Sequence, residues 1–134
     1  PHALRADYPR GWQEDKVSAF TPEGRTQMQN ECWNYASKLL NWRKTSRPVT
    51  EGKLIHYTPD NNTKCYVYAR TDGKNTVLVI LNGSDTIRFV DTHRFSEVIG
   101  KNTKGKDVVT GEVIDLESLI LIPARGTYIL ELSE

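Results

Sequence analysis

The stretch KCYVYARTDGKNTVLVILN, residues 64–82, decides the fold. Two runs rich in β-branched and aromatic residues, 64–70 and 76–82, flank the pair Asp72-Gly73, which is typical of a β-hairpin turn. Residues 77–81 are apolar throughout, and such a run predicts a central strand that is covered on both faces. The stretch therefore predicts an antiparallel hairpin that supplies a central strand.

Similar short runs continue on both sides of this hairpin, separated by turn residues. They are KLIHYT (53–58), TIRFV (86–90), KDVVT (106–110), EVIDL (112–116), SLILIP (118–123) and GTYILEL (126–132). Segment 92–100, THRFSEVIG, has the pattern of a helical turn. Seven or eight antiparallel strands within residues 50–134 predict a mainly β protein, a compact antiparallel β-sandwich.

A long helix is predicted before the strands, over residues 26–44, TQMQNECWNYASKLLNWRK. Thr26 and Gln29 stand at capping-box spacing, and Pro48 ends the helix. Its apolar stripe consists of Met28, Cys32, Tyr35, Ala36, Leu39 and Leu40. Two tryptophans widen the stripe, which indicates contacts on more than one side. We therefore divide the chain into residues 1–46, with a loop and this helix, and a sandwich at 50–134.

The composition excludes several classes of partner. The 134 residues include 18 Lys and Arg against 17 Asp and Glu, which favours neither nucleic acid nor an anionic membrane as a partner. The apolar runs are far shorter than the roughly 20 residues of a membrane helix.

Cys32 and Cys65 allow one disulfide, although two buried free thiols are favoured. No metal site and no cofactor are predicted.

The opening loop, LRADYPRGWQEDKVSAFT at residues 4–21, shows neither helical nor strand periodicity. Tyr8 and Trp12 are candidates for sugar contact, because a pyranose presents a C–H face that suits a flat ring. The favoured alternative is that these aromatic residues anchor the loop to a larger body. The carboxylates Asp7, Glu14 and Asp15 are interpreted as loop residues, since no scaffold fixes any pair of them at catalytic separation.

The segments LRADYPRGW (4–12), DKVSAFT (15–21), GRTQ (24–27) and KLLNWRK (38–44) resemble the end of the catalytic barrel in the α-amylase family of glycoside hydrolases. The branch is that of neopullulanases and cyclomaltodextrinases. GKLIHY (52–57), VLVILN (77–82) and KDVVTG (106–111) resemble that branch's C-terminal β-sandwich. The chain departs from the family pattern at Arg10, where the pattern has Gly, and at Val17-Ser18.

The resemblance implies that residues 4–21 connect the eighth strand of a (β/α)8 barrel to its last helix, on the catalytic face. Asp7, Tyr8 and Trp12 would then lie at the rim of a substrate cleft as substrate-binding residues. The family's aspartate nucleophile, glutamate acid/base and second aspartate would lie upstream of Pro1. A retaining glycosidase needs two carboxyls about 5 Å apart. No residue of this chain matches them, so the chain alone is expected to be catalytically inert.

Three hypotheses follow. The leading one is the C-terminal part of a bacterial starch- or maltodextrin-degrading hydrolase that retains configuration at α-1,4-glucosidic bonds, in the periplasm rather than the cytoplasm. Its partners would be the missing barrel and an α-glucan. The alternative is a carbohydrate-binding sandwich with a platform of Tyr57, Tyr66, Tyr68 and Tyr128, although packing roles are favoured for these rings. The third is a homodimer formed through the apolar stripe of the helix.

Overall fold

The computed structural model describes residues 8–10, 12–59 and 62–134. The chain divides into two compact units, with the boundary between Lys38 and Leu39. The helices are α1 (Gln27–Thr45), α2 (Arg47–Thr50) and α3 (Ser96–Ile99), with 3-10 turns at Pro22–Gly24 and Thr92–Phe95. The strands are β1 (Lys53–His56), β2 (Cys65–Thr71), β3 (Thr76–Asn82), β4 (Arg88–Asp91), β5 (Lys104–Asp107), β6 (Val113–Asp115), β7 (Leu119–Ile122) and β8 (Thr127–Ser133). The predicted domains at 1–46 and 50–134 stay a prediction.

The strands form two antiparallel sheets. One sheet has the order β1-β2-β3-β8-β5-β6, and the other pairs β4 with β7. The described residues thus contain eight strands, which confirms the predicted mainly β sandwich. The sheet order itself had no counterpart in the sequence-based prediction.

The β2–β3 hairpin forms where the sequence predicts it. Its register pairs Cys65 with Asn82 and Thr71 with Thr76. Gly73 has a φ of +90°, a backbone conformation that residues with a Cβ rarely adopt. One carboxylate oxygen of Asp72 accepts from the backbone N–H of Lys74 at 2.9 Å and of Asn75 at 2.7 Å. The turn chemistry therefore fixes the register of both strands.

The carboxylate of Asp72 makes the hairpin sensitive to acid. The backbone N–H of Asn75, followed by that of Lys74, lowers the pKa of this carboxyl below its ordinary value of 3.8. The ionised form therefore stabilises the folded chain above pH 3.8, and that contribution is lost as the pH falls through the folded-state pKa. For Asp72→Asn we expect a lower Tm at neutral pH and a smaller drop in Tm below pH 4, measured by circular dichroism.

The control for this acid titration is Glu117→Gln, at an exposed carboxylate outside the hairpin. The Tm of Glu117→Gln should fall below pH 4 by as much as the Tm of the unaltered chain. Equal acid profiles for Asp72→Asn and the unaltered chain would contradict the role assigned to Asp72.

The core lies between the inner faces of the two sheets. Its members are apolar and at most 8 % exposed; among them are Val67, Ala69, Leu78, Ile80, Val90, Phe95, Val98, Ile99, Leu116, Ile120, Ile122 and Leu130. Strand β3 lies between β2 and β8, and both of its faces are buried, with Leu78 at 0 % and Val79 at 5 % exposure. The prediction that 77–81 is a central strand covered on both faces is confirmed.

Strand β5 differs from the predicted strand at 106–110. It spans Lys104–Asp107, because the side chain of Asp107 turns the chain immediately afterwards. Asp107 is 1 % exposed, and its carboxylate accepts from the N–H and the hydroxyl of Thr110, each at 2.8 Å, and from the N–H of Ile129 at 3.0 Å. The two valines after Asp107 led to the prediction that the strand continues to residue 110. The hydrogen bonds from Thr110 to Asp107 end the strand instead.

Helix α1 matches the predicted helix to within one residue at each end. The predicted capping box is present: the N–H of Thr26 donates to Oε1 of Gln29 at 2.8 Å, and the N–H of Gln29 donates to Oγ1 of Thr26 at 3.3 Å. Cys65 is buried and Cys32 is exposed, and both thiols are free. The prediction of two buried thiols is therefore wrong for Cys32, because its stretch of α1 leaves the side chain uncovered.

Asn82 shows how a sequence motif is used structurally. Asn82-Gly83-Ser84 matches a glycosylation acceptor but also fits a turn. The Asn82 side chain is 4 % exposed and donates to the carbonyls of Thr86 and Pro123, each at 2.8 Å. The Asn82 side chain therefore stabilises the turn.

No helix within the described part of the chain is long and apolar enough to cross a membrane.

Candidate functional site

Two of the three predicted rim residues lie in the described part of the opening loop; Asp7 lies outside it. The Tyr8 ring contacts Phe20 edge to face, with centroids 5.1 Å apart, and its hydroxyl donates to the carbonyl of Ala19 at 3.4 Å. Trp12 is 64 % exposed. Tyr8 thus packs against Phe20 inside the loop although it is 49 % exposed, and Trp12 is the more exposed of the two rings.

The loop is tied together by a carboxylate and a guanidinium. The Asp15 carboxylate accepts from the N–H of Arg10 at 2.5 Å and of Trp12 at 3.1 Å. Arg25 donates to the carbonyl of Ala19 and to Oδ1 of Asn30, each at 2.8 Å. The Arg25 guanidinium also lies 4.3 Å from the centre of the Trp33 ring, within the range of a cation–π contact. Asp15 thus accepts hydrogen bonds from the backbone of its own loop. This agrees with its interpretation as a loop carboxylate.

Arg10 has a backbone conformation that suits glycine. Its φ is +87°, in the region that residues with a Cβ rarely adopt. Arg10 is one of the positions at which the sequence departs from the family pattern, which has Gly here. The arginine therefore carries a steric cost that a glycine would avoid.

For Arg10→Gly we expect a more stable loop. Relief of the steric cost exceeds the added backbone entropy of glycine by about 0.5–1 kcal/mol. Hydrogen exchange at the Trp12 amide, which donates to Asp15, should slow by about two- to fivefold. Lys16→Gly is the matched control in the same loop, at a residue without positive φ, and should not slow exchange. Faster exchange in Arg10→Gly would contradict the strain assigned to Arg10.

A second surface, which we call the outer-face cluster, consists of Leu54, His56, Tyr66 and Tyr68. Alternation along β2 sends Cys65, Val67 and Ala69 into the core, so Tyr66 and Tyr68 lie on the other face of the six-stranded sheet. The β1–β2 register pairs His56 with Tyr68 and so adds β1 to this face.

The three rings of the outer-face cluster lie close together. Ring centroids are 5.6 Å apart for Tyr66 and Tyr68, 6.1 Å for His56 and Tyr66, and 6.4 Å for His56 and Tyr68. Nδ1 of His56 is hydrogen-bonded to the hydroxyl of Tyr66. The two tyrosines are half-buried, whereas Leu54 is 46 % exposed. The result is a mainly aromatic surface with one polar edge.

The end of α1 lies on the same face of the sheet. Nε1 of Trp42 donates to Oε1 of Glu131 at 2.7 Å, and Glu131 is paired with Val77 in the sheet. Arg43 lines an open cleft together with the three rings. Arg70, at the edge of this cleft, donates to the carbonyls of Pro48 at 3.2 Å and Gly52 at 2.8 Å. Arg70 therefore holds the chain between α2 and β1 in place.

The structure does not bring the four predicted platform tyrosines together. Tyr57 packs edge to face on Phe95, with centroids 4.7 Å apart, and donates to Glu97 at 3.0 Å. Burial, and then this hydrogen bond, raises the pKa of Tyr57. Tyr128 also packs against the core. His56 takes their place beside Tyr66 and Tyr68. It was missed because the polar break at 59–63 predicts a turn but not the β1–β2 register that pairs His56 with Tyr68.

The described residues contain no group of three or more His, Cys, Asp or Glu side chains placed to hold a metal ion.

The model of the cyclomaltodextrinase C-terminal domain family matches residues 54–131. The chain belongs to this family. The match holds β2 to β7 and most of β1 and β8, so membership rests on the sandwich. A cyclomaltodextrinase of Geobacillus thermopakistaniensis (strain MAS1) is 30 % identical over 70 residues, which are 52 % of this chain and 11 % of that protein. The chain thus matches only a small part of this relative's length.

Solved structures of an α-amylase and of an isomaltulose synthase share the fold. An α-amylase from Geobacillus thermoleovorans, complexed with acarbose, has a TM-score of 0.64 at 15 % identity over 78 % of this chain and 23 % of its own. An isomaltulose synthase mutant from Erwinia rhapontici NX5 has a TM-score of 0.63 at 23 % identity, over 85 % of this chain and 20 % of its own. The resemblance to the cyclomaltodextrinase branch, first seen in the sequence, is confirmed.

Proposed function

We propose that the chain is the C-terminal part of a hydrolase that cleaves α-1,4-glucosidic bonds of starch and maltodextrins with retention. In this proposal the catalytic carboxylates lie in a barrel outside these residues, and the sandwich is structural and non-catalytic. The family of the sandwich and the name of the relative support the α-glucan substrate class. The relative's much greater length supports a catalytic body elsewhere in the polypeptide.

The observation that carries the proposal is the aromatic and apolar character of the outer side of the six-stranded sheet, which includes the outer-face cluster. A sandwich needs only its inner faces for its core, and an outer face in water is ordinarily polar. Here Val77 and Val79 are buried on the outer side, the last turns of α1 lie on that side, and Leu54 remains exposed. A face of this kind fits a permanent neighbour in the same polypeptide, since exposed apolar patches mark contact sites.

The loop supports a role at the substrate cleft but not in bond cleavage. Asp15 is engaged by two backbone N–H groups. Trp12, with its open ring, is the residue that we propose contacts a glucose unit, while Tyr8 positions the loop through Phe20. Asp7 stays a proposed substrate-binding residue on the resemblance alone.

The activity test uses maltoheptaose, pullulan and β-cyclodextrin. The 134-residue chain should release no reducing sugar, whereas the polypeptide that includes the upstream coding sequence should hydrolyse maltoheptaose. In that polypeptide Trp12→Ala should lower kcat/KM by about tenfold, and Phe89→Ala, on the two-stranded sheet, should not. Turnover by the 134-residue chain alone would overturn the proposal.

The docking test uses two leucines of equal exposure on opposite faces. Leu54 and Leu121 are each 46 % exposed on a strand. In the longer polypeptide Leu54→Lys should lower the Tm of the catalytic body, because a charge at the contact is desolvated. Leu121→Lys should leave that Tm unchanged. Equal effects of the two variants would contradict docking through the outer-face cluster.

The second candidate function is carbohydrate binding by the outer-face cluster. The closeness of His56, Tyr66 and Tyr68 supports it, because neighbouring rings can stack on sugar faces. Affinity electrophoresis in amylopectin decides between the two: retarded migration that Tyr66→Ala and Tyr68→Ala abolish supports binding. Unaltered migration leaves the structural role.

Self-association through the helix is a proposal for the 134-residue chain alone. Met28 is 74 % and Leu40 59 % exposed on the apolar stripe of α1, which supports contact with another molecule. Met28→Glu should lower the mass measured by light scattering at high concentration. A monomeric mass for the unaltered chain would exclude it.

A further inference from the structure

The open cleft beside the outer-face cluster is lined by basic side chains. We call it the basic cleft; its volume is about 350 Å³, and its lining residues are Arg43, Val49, Leu54, His56, Tyr66, Tyr68 and Arg70. Two arginines and a histidine are among them, and none of the described residues that line the cleft is Asp or Glu. All of the lining residues belong to the unit that begins at Leu39. The basic cleft is therefore a feature of one compact unit.

The positive charge of Arg43 is not balanced within the part of the chain that the structure describes. Arg43 is exposed near the end of α1. The arginine ion pairs among the described residues are made by Arg47 and Arg125 instead, with partners outside the cleft. The Glu131 carboxylate, on the same face of the sheet, accepts from Nε1 of Trp42 at 2.7 Å. Arg43 is therefore a cation in need of a partner.

Arg70 adds a second unbalanced charge at the edge of the cleft. Its guanidinium donates to the carbonyls of Pro48 and Gly52, which are neutral acceptors. These hydrogen bonds orient the guanidinium but do not compensate its charge. On the neighbouring strand, Nδ1 of His56 is bonded to the hydroxyl of Tyr66. The described residues around the cleft thus offer positive charge and aromatic surface together.

Docking of a neighbour makes these charges costly unless it brings an anion. In the proposed function, on which this step rests, the catalytic body covers the outer-face cluster and so removes water from the basic cleft. A guanidinium that loses water without gaining an anionic partner destabilises the contact strongly. A carboxylate compensates the charge and binds a guanidinium through two parallel hydrogen bonds. Charge complementarity therefore selects an acidic side chain as the occupant of the cleft.

We propose that an aspartate or glutamate of the catalytic body inserts into the basic cleft and forms an ion pair with Arg43. Arg70 and His56 add to the positive potential that attracts this carboxylate, and the rings of Tyr66 and Tyr68 exclude water from the pair. The apolar contact at Leu54 holds the body on this face. The ion pair fixes the orientation of the body, because polar contacts set the register of an interface more than its affinity.

The test couples position 43 to its partner in the polypeptide that includes the upstream coding sequence. Arg43→Lys places an amine at the cleft, and a water-soluble carbodiimide joins an amine and a neighbouring carboxylate as an amide, taking up the released water as a urea. Mass spectrometry of a proteolytic digest should show position 43 joined to an Asp or Glu upstream of Pro1. The control is Arg125→Lys, which should couple to Asp85, its ion-pair partner within the chain.

The outcome at position 43 decides the proposal. Coupling of position 43 only to carboxylates of the 134 residues, or none while position 125 couples to Asp85, would overturn it. Leu54→Lys keeps this failure apart from failure of the proposed function. If Leu54→Lys lowers the Tm of the catalytic body while position 43 finds no upstream carboxylate, docking stands and only the acidic partner is refuted.

A second measurement separates charge from packing. Arg43→Gln, which has a similar helix propensity, should lower the Tm of the catalytic body by a few degrees, and Arg43→Lys should keep most of that Tm. Arg125→Gln, at an exposed arginine outside the cleft, should leave the Tm unchanged. Inorganic phosphate is the probe for a free anion. If phosphate raises the Tm of the longer polypeptide and Arg43→Gln abolishes that rise, the cleft takes a free anion and the proposal is wrong.

Discussion

Replacing Phe95 by alanine is expected to lower the free energy of unfolding of the sandwich by about 3–5 kcal/mol. Phe95 is 2 % exposed, ends the 3-10 turn after β4, and packs edge to face on Tyr57. Its removal leaves a cavity among residues that belong to both sheets, and the surrounding backbone cannot close it fully. Urea denaturation followed by circular dichroism measures the loss.

The control for Phe95→Ala is Phe89→Ala, at a phenylalanine that is 55 % exposed on β4. At concentrations where the chain is monomeric it should cost less than about 0.5 kcal/mol. A loss below about 1 kcal/mol for Phe95→Ala would show that this residue is not part of the main core.

Replacing Asp107 by alanine is expected to cost about 4 kcal/mol of stability. The change removes the acceptor of three hydrogen bonds, from the N–H and hydroxyl of Thr110 and from the N–H of Ile129, at a position that is 1 % exposed. Donors left without a partner in the interior carry their full desolvation cost. The variant should also loosen the turn that follows β5.

Asp107→Asn separates charge from shape and should cost about 2 kcal/mol, because the amide keeps one accepting oxygen. Asp115→Ala is the exposed control, at an aspartate that accepts from the N–H of Glu117, and should cost less than about 1 kcal/mol. Chemical denaturation measures all three variants. Similar losses for Asp107→Ala and Asp115→Ala would contradict the role of the buried carboxylate.

Local signals made much of the fold predictable. Asp72-Gly73 located the hairpin, the apolar run at 77–81 located the central strand, and Thr26 with Gln29 located the start of α1. The turn and the helix start are fixed by interactions between residues close in sequence, and the unbroken apolar run is itself a local pattern, so all three can be recognised without the tertiary structure.

The rest depends on pairings between distant residues. The position of His56 depends on the β1–β2 register, and the buried Asp107 carboxylate also accepts from the N–H of Ile129 in β8. The partition of the strands into six and two follows from which strands meet β8, which no local pattern encodes. The rim residues Asp7, Tyr8 and Trp12 stay a prediction, because their partner would be a substrate and a catalytic body.

The outer-face cluster, next to the end of α1, is proposed to hold the catalytic body. Leu54 and Leu121 test this contact, because they match in residue type and exposure and lie on opposite faces of the sandwich.

The central claim, that these 134 residues are the non-catalytic C-terminal part of an α-glucan hydrolase, is tested most directly by reducing-sugar release from maltoheptaose. The measurement compares the 134-residue chain with the polypeptide that includes the upstream coding sequence. We predict release by the longer polypeptide and none by the chain alone. Release by the chain alone, or an inert longer polypeptide that carries no barrel, would contradict the claim.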